Sequence, residues 1–158
     1  MPISEGKKAP FFDLPDASGS IVSLRDQLGS WVVLYFYPKD DTPGCTREAC
    51  SFRDNMARIE TLGAVIIGIS PDSAASHRKF TDKHGLPFTL LADDHNQVAA
   101  AYGVWVEKSM YGKKYLGVER TTFLIDPRGM IRKVFPKVKV DGHVDEVIAA
   151  LSALQEEA

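Results

Sequence analysis

Cysteine is scarce in this chain: Cys45 and Cys50 are the only two in 158 residues. So few cysteines exclude a disulfide-stapled secreted scaffold, and the lack of a Cys-x-x-Cys pair speaks against a general dithiol oxidant. Zinc-site spacing is missing as well, because His77, His84, His95 and His143 do not combine with the cysteines in any such pattern. The histidines read as surface or capping residues outside any cluster of ligands or bases, and no metal or cofactor is expected. There is no block of Lys and Arg, and a formal net charge of −2 gives no electrostatic case for nucleic acid. The longest apolar run, Trp31 to Tyr37, falls far short of the ~20 residues that a membrane helix needs. The amino end has no apolar signal-peptide core, so a cytoplasmic address is expected. Gly-x-Ser-x-Gly, phosphate-loop and dinucleotide glycine patterns are absent. With no repeat, low-complexity tract or linker, the chain reads as one domain, residues 1–158.

What is present is an alternation of strands and helices. Trp31-Val32-Val33-Leu34-Tyr35-Phe36-Tyr37 is an unbroken β-branched and aromatic run, suited to a central strand buried on both faces. Residues 11–14 and 20–24 read as short strands around the turn cluster Asp16-Ala17-Ser18-Gly19. Residues 43–62 read as one helix, with Ala49, Phe52, Met56, Ile59 and Leu62 on a common face and Gly63 as its stop. A second buried strand at 64–69 is followed by a polar helix over 73–84, ended by Gly85. A strand at 88–91, a short helix at 96–102 and a hairpin or irregular stretch around Gly112 come next. Arg120 to Ile125 and Met130 to Phe135 form an antiparallel pair across Asp126-Pro127-Arg128-Gly129, and a helix over 143–154 closes the chain. The order predicts an α/β fold with a central mixed β-sheet flanked by helices.

The chemistry concentrates at the start of the helix after the central strand. Thr42-Pro43 is a helix-start pair, with Thr as N-cap and Pro at the first helical position. Gly44 is then second and Cys45 third, where unpaired N–H groups and the helix dipole favour a thiolate. Gly44 leaves the approach to the sulfur clear. Arg47 adds positive potential, whereas Asp40, Asp41 and Glu48 oppose it. In an ideal helix, residues five apart have Cα atoms roughly 8.7 Å apart. A disulfide needs less than about 7 Å. Three readings stand for the cysteine pair: a static disulfide in a non-helical segment, two inert core thiols, or a redox pair coupled to local unwinding. The amphipathic pattern of the segment favours the third. Arg120, taken alone, reads as a surface ion pair with Glu119 or Glu48.

At these residues the chain resembles the peroxiredoxins, and most closely the bacterioferritin comigratory protein/PrxQ subfamily. Pro38-x-x-x-Thr42-x-x-Cys45 matches the peroxiredoxin motif, and a second cysteine five residues later matches PrxQ. Phe36-Tyr37-Pro38-Lys39, Gly68-Ile69-Ser70, Phe88-Thr89-Leu90-Leu91, Tyr102-Gly103-Val104-Trp105 and Arg120-Thr121-Thr122-Phe123-Leu124-Ile125-Asp126 resemble family segments in the family order. The resemblance implies a thioredoxin-like fold with peroxiredoxin additions at the amino end. It implies a thiol-dependent peroxidase for hydrogen peroxide and organic hydroperoxides, recycled by thioredoxin or a similar dithiol. It carries over Cys45 as the peroxidatic cysteine that becomes a sulfenic acid, and Cys50 as the resolving cysteine, joined to Cys45 in an intramolecular disulfide. Pro38, Thr42 and Arg120 are carried over as active-site residues, and Glu48 as a polar partner for the arginine. There is no third cysteine for the intersubunit route of typical two-cysteine dimers, and a monomer is expected.

Overall fold

The computed structural model describes residues 1–157; Ala158, the last residue of the expected domain, lies outside them. The chain runs β1 (Asp13–Pro15), β2 (Ile21–Ser23), a 3-10 turn at Leu24–Gln27, β3 (Trp31–Phe36), α1 (Pro43–Asp54), α2 (Met56–Thr61), β4 (Ala64–Ser70), α3 (Ala74–His84) and β5 (Thr89–Ala92). It continues with α4 (Gln97–Ala101), β6 (Trp105–Met110), β7 (Lys113–Val118), β8 (Thr121–Ile125), β9 (Ile131–Phe135) and α5 (His143–Glu156). Five strands form the central sheet in the order β5-β4-β3-β8-β9. β4 runs parallel to β3 and to β5, whereas β8 is antiparallel to both β3 and β9, so the sheet is mixed. The stretch around Gly112 resolves into the antiparallel hairpin β6–β7.

β3 is central because its sequence is apolar on both faces. Val33, Tyr35 and Tyr37 face a core completed by Phe52, Ile59, Phe80, Val147 and Leu151, from the helices α1, α2, α3 and α5. Val32, Leu34 and Phe36 face the opposite core, with Phe12, Leu24, Val98 and Tyr102. The period of two along a strand thus divides one apolar run between two helical layers. Each large apolar side chain buried there contributes about 1.5–3 kcal/mol. Among the described residues, no helix is long and apolar enough to cross a membrane.

The single helix expected over 43–62 is in fact two. Asn55 breaks it with φ −112° and ψ 11°, and its side-chain amide donates to the Ser51 carbonyl at 2.8 Å. Asparagine competes for backbone groups in this way, which explains why it ends a turn that the apolar spacing alone would continue. The stop at Gly85 holds as read: the residue adopts φ 59°, ψ 46° and closes α3.

α1 is fastened at its carboxy-terminal half by Phe52, which is fully buried and stacks on Tyr35 at 4.8 Å between ring centroids. Phe52→Ala is expected to lower the stability of the reduced protein by about 3–5 kcal/mol through loss of contacts and the cavity left behind. Urea denaturation measures it.

Candidate active site

α1 opens as its residues dictate. Pro43 is the first helical residue, and the first intrahelical bond runs from Thr46 N–H to the Thr42 carbonyl at 2.8 Å. The amides of Gly44 and Cys45 therefore have no intrahelical acceptor. Thr42 stands at the N-cap with extended backbone, but its hydroxyl does not cap the helix. It donates instead to the Lys39 carbonyl at 2.8 Å and closes the preceding turn. That corrects the expected cap and leaves the hydroxyl oxygen with lone pairs to accept a further bond.

Cys45 is 2% exposed and Cys50 half-buried, and both are free thiols. They share the continuous helix Pro43–Asp54. The helical rise and turn keep their Cα atoms roughly 8.7 Å apart.

Arg120 reaches the same sulfur from the sheet. It lies directly before β8, the antiparallel neighbour of β3. Its Nη1 donates to Glu48 Oε1 at 2.7 Å and its Nη2 to Cys45 Sγ at 3.2 Å. The Arg120 side chain is 16% exposed and that of Glu48 0%, so this is not the surface pair that the sequence alone suggests. Gly44 makes room for the guanidinium, since a Cβ there would lie 3.3 Å from Nη2.

Burial pushes the Glu48 carboxyl up to about 7, against the opposing pull of the Arg120 charge and hydrogen bond. Desolvation wins because only one carboxyl oxygen is bonded; Oε2 has no hydrogen-bond partner. The Tyr35 hydroxyl beneath the site is also unpartnered. Burial drives its pKa well above the ordinary phenol value, and the charges of Glu48, Cys45 and Asp40 add to the effect. Burial alone would lower the Arg120 pKa, but the charges of Glu48 and Cys45 outweigh it and raise it. Lys108 on β6 lies in the same field, its pKa lowered by burial and then by Arg120.

Two histidines depart from the surface reading. His143 is buried at the start of α5 with Nε2 2.8 Å from Thr122 Oγ1, and burial and the Arg120 charge push its pKa down to about 4. His77 is buried too and sits in a cluster with Asp40 and Asp72, contrary to the expectation of isolated histidines. His84 is half-buried and His95 exposed. Asp40 and Asp41, read from the sequence as negative charge near the sulfur, have partners of their own. Both carboxylates are bonded to bases on α3, His77 and Lys83. Nothing local marks His77 as buried in a polar helix, although Phe80 three residues on shows which stripe of that helix faces inward.

Of the six residues expected at the site, Cys45, Glu48 and Arg120 are joined by direct hydrogen bonds. Pro38 and Thr42, both half-buried, belong to the loop that delivers α1, and Cys50 lies along the same helix.

A thiol at a helix start, held by a half-buried arginine that directly precedes a neighbouring strand of a mixed five-stranded sheet, defines the peroxiredoxin class of thioredoxin-fold proteins. The chain belongs to the AhpC/TSA family, whose profile matches residues 5–134, and within it to the Bcp/PrxQ group. It is 51% identical over 156 residues to peroxiredoxin Bcp of Bacillus subtilis, an alignment covering 99% of each chain. The bacterioferritin comigratory protein of Xanthomonas campestris, solved as trapped intermediate and ligand complexes bearing on its alkyl peroxide reduction activity, superposes with a TM-score of 0.90. That match has 42% identity and covers 95% of this chain and 98% of the other. PrxQ of Xylella fastidiosa gives a TM-score of 0.93 at 35% identity, covering 98% and 99%. The expected thioredoxin-like fold is thus the observed one.

The Glu48 carboxyl binds its proton more tightly in the folded chain than the ordinary value of 4.5 allows. Its contribution to stability is therefore complete below pH 4.5 and lost as the pH rises through about 7. The difference in unfolding free energy between wild type and Glu48→Gln should fall across that interval and level off above it, which denaturant titrations at several pH values would measure.

Proposed function

We propose that the protein is a thiol peroxidase that reduces hydrogen peroxide and organic hydroperoxides, with Cys45 as the attacking sulfur. The observation that carries this reading is the 3.2 Å hydrogen bond from Arg120 Nη2 to Cys45 Sγ at the start of α1. The guanidinium stabilises a sulfur anion, and the anion is the competent nucleophile. Attack forms an S–O bond to the terminal peroxide oxygen while the O–O bond breaks. The departing oxygen takes a proton and leaves as water or alcohol, and Cys45 becomes a sulfenic acid. Charge develops on both peroxide oxygens during this step, and the fixed donors Arg120 and the unpaired Cys45 N–H lower its barrier. The Thr42 hydroxyl already spends its hydrogen on Lys39, so it accepts the peroxide O–H and orients the substrate. Pro38 shields the sulfur, and Glu48 holds the arginine in plane.

Resolution requires the first turns of α1 to unravel. Cys50 then attacks the Cys45 sulfur, the S–O bond breaks, hydroxide leaves as water with a proton, and the intramolecular disulfide closes. A disulfide across so short a loop is exposed to an external dithiol, thioredoxin or a similar protein, which restores both thiols. The chain works as one peroxidase domain, a cytoplasmic monomer whose chemistry calls for no metal or cofactor. The alkyl peroxide activity of the Xanthomonas relative supports the inclusion of organic hydroperoxides.

Cys45→Ser is expected to abolish peroxide turnover, whereas Cys50→Ser consumes one equivalent and stalls until an external thiol is added. Stopped-flow peroxide consumption distinguishes them, and full turnover by Cys45→Ser would overturn the assignment. Far-ultraviolet circular dichroism should show less helix in the disulfide form than in the dithiol form; superimposable spectra would exclude the unravelling.

A further inference from the structure

The loop between β3 and α1 is tied to α3 by a buried polar cluster that the peroxide chemistry does not use. Asp40, 6% exposed, accepts from the Tyr37 hydroxyl at 2.6 Å through Oδ1 and from the Ser76 hydroxyl at 2.8 Å through Oδ2. The same Oδ2 lies 2.7 Å from Nδ1 of the fully buried His77. The Asp40 amide donates to Asp72 Oδ2 at 2.7 Å, an oxygen that also accepts from the Ser70 hydroxyl at 2.6 Å. His77 Nε2 is 2.9 Å from the Leu91 carbonyl on β5. A carbonyl can only accept, so we assign a hydrogen to Nε2. One further proton then lies between Nδ1 and Asp40, which makes that contact a charge-assisted bond. Asp40, Asp72 and His77 present atoms within 4.8 Å of one another, but each already has a hydrogen-bond partner. The cluster is a tie between elements rather than a metal site.

Asp41 adds a second tie to the same helix. It sits in the left-handed region at φ 58° and meets Lys83 Nζ at 2.9 Å on the surface. The two residues that lead into Thr42 and α1 are therefore both fastened to α3. By contrast, Phe52, the large apolar anchor of α1, lies beyond the turns that must open, and within them only Cys45 and Ala49 join the core.

We propose that Asp40 and His77 are positioning residues: their bond holds the loop ahead of α1 and so sets how readily the first turns of the helix release Cys45 to Cys50. This rests on the Cys45–Cys50 cycle described above. The sulfenic acid has two competing fates. Attack by Cys50 gives the disulfide and water. Attack on a second peroxide transfers an oxygen to the Cys45 sulfur, reduces that peroxide to water or alcohol and leaves a sulfinic acid. A tight latch keeps the helix closed, delays the first fate and lengthens exposure to the second.

The experiment mixes reduced wild type, Asp40→Asn, Ser76→Ala and Ile131→Val with increasing hydrogen peroxide. It counts disulfide and sulfinic acid at Cys45 by mass after acid quench, alongside amide exchange of residues 43–50. Asp40→Asn should raise the disulfide-to-sulfinic ratio by about fivefold, the factor for exchanging a charge-assisted hydrogen bond for a neutral one in which the new amide donates to His77 Nδ1, and speed exchange in parallel. Ser76→Ala, which removes one neutral donor, should move both readouts the same way by less and keeps the test usable if Asp40→Asn folds poorly. Ile131→Val truncates the core on the opposite face of the sheet and should leave the ratio at the wild-type value. An unchanged ratio in Asp40→Asn and Ser76→Ala, or an equal rise in Ile131→Val, overturns the latch while leaving the cycle intact. A wild type that forms no Cys45–Cys50 disulfide overturns the cycle, and the latch with it.

Discussion

The half-buried guanidinium of Arg120, shared between Glu48 and Cys45, is the contact on which the site depends. Its planar fork offers two donors at a fixed spacing, so one side chain binds a carboxyl and a sulfur together. A lysine would supply the charge without the geometry. The fork stands immediately before the strand paired with the centre of the sheet, where Thr121 to Ile125 are all buried. The sulfur instead stands on the first turn of a helix. The arginine is thus the fixed partner and the thiol the movable one.

That division runs through α1 itself. Its carboxy-terminal half is anchored by aromatic packing, with Phe52 against both Tyr35 and Phe88. Apart from the Cys45 side chain in the core, its amino-terminal half is held by polar contacts at few points: the arginine at Cys45 and Glu48, and the turn closed by Thr42. Apolar packing is lost only when many atoms separate, whereas a few hydrogen bonds can be exchanged for water one by one. The proposed unravelling would therefore start at the amino-terminal end of the helix.

Much of this was legible in the sequence. The apolar run of β3, the helix-start pair Thr42-Pro43 and the register that makes Cys45 the third helical residue are all local patterns, and the structure agrees with them. The break at Asn55 was not legible, because apolar spacing continues across it while the competing side-chain bond to Ser51 leaves no trace in periodicity. The burial of His77 and its bond to Asp40 join residues 37 positions apart, and no local window contains both. For Arg120, the sequence alone suggested a surface ion pair. The family resemblance assigned it to the active site, and the sheet order, which brings β8 beside β3, is the physical reason it meets the sulfur.

Glu48 lies between the two cysteines, and this position links proton balance to electron balance. In the closed helix its carboxyl is withheld from water and retains a proton up to about pH 7. Joining Cys45 to Cys50 would carry the intervening residues, Glu48 among them, out of that shelter. In water the same carboxyl is a much stronger acid and would give its proton up. Each oxidative half-turn near neutrality would then discharge acid beyond the stoichiometry of the thiols.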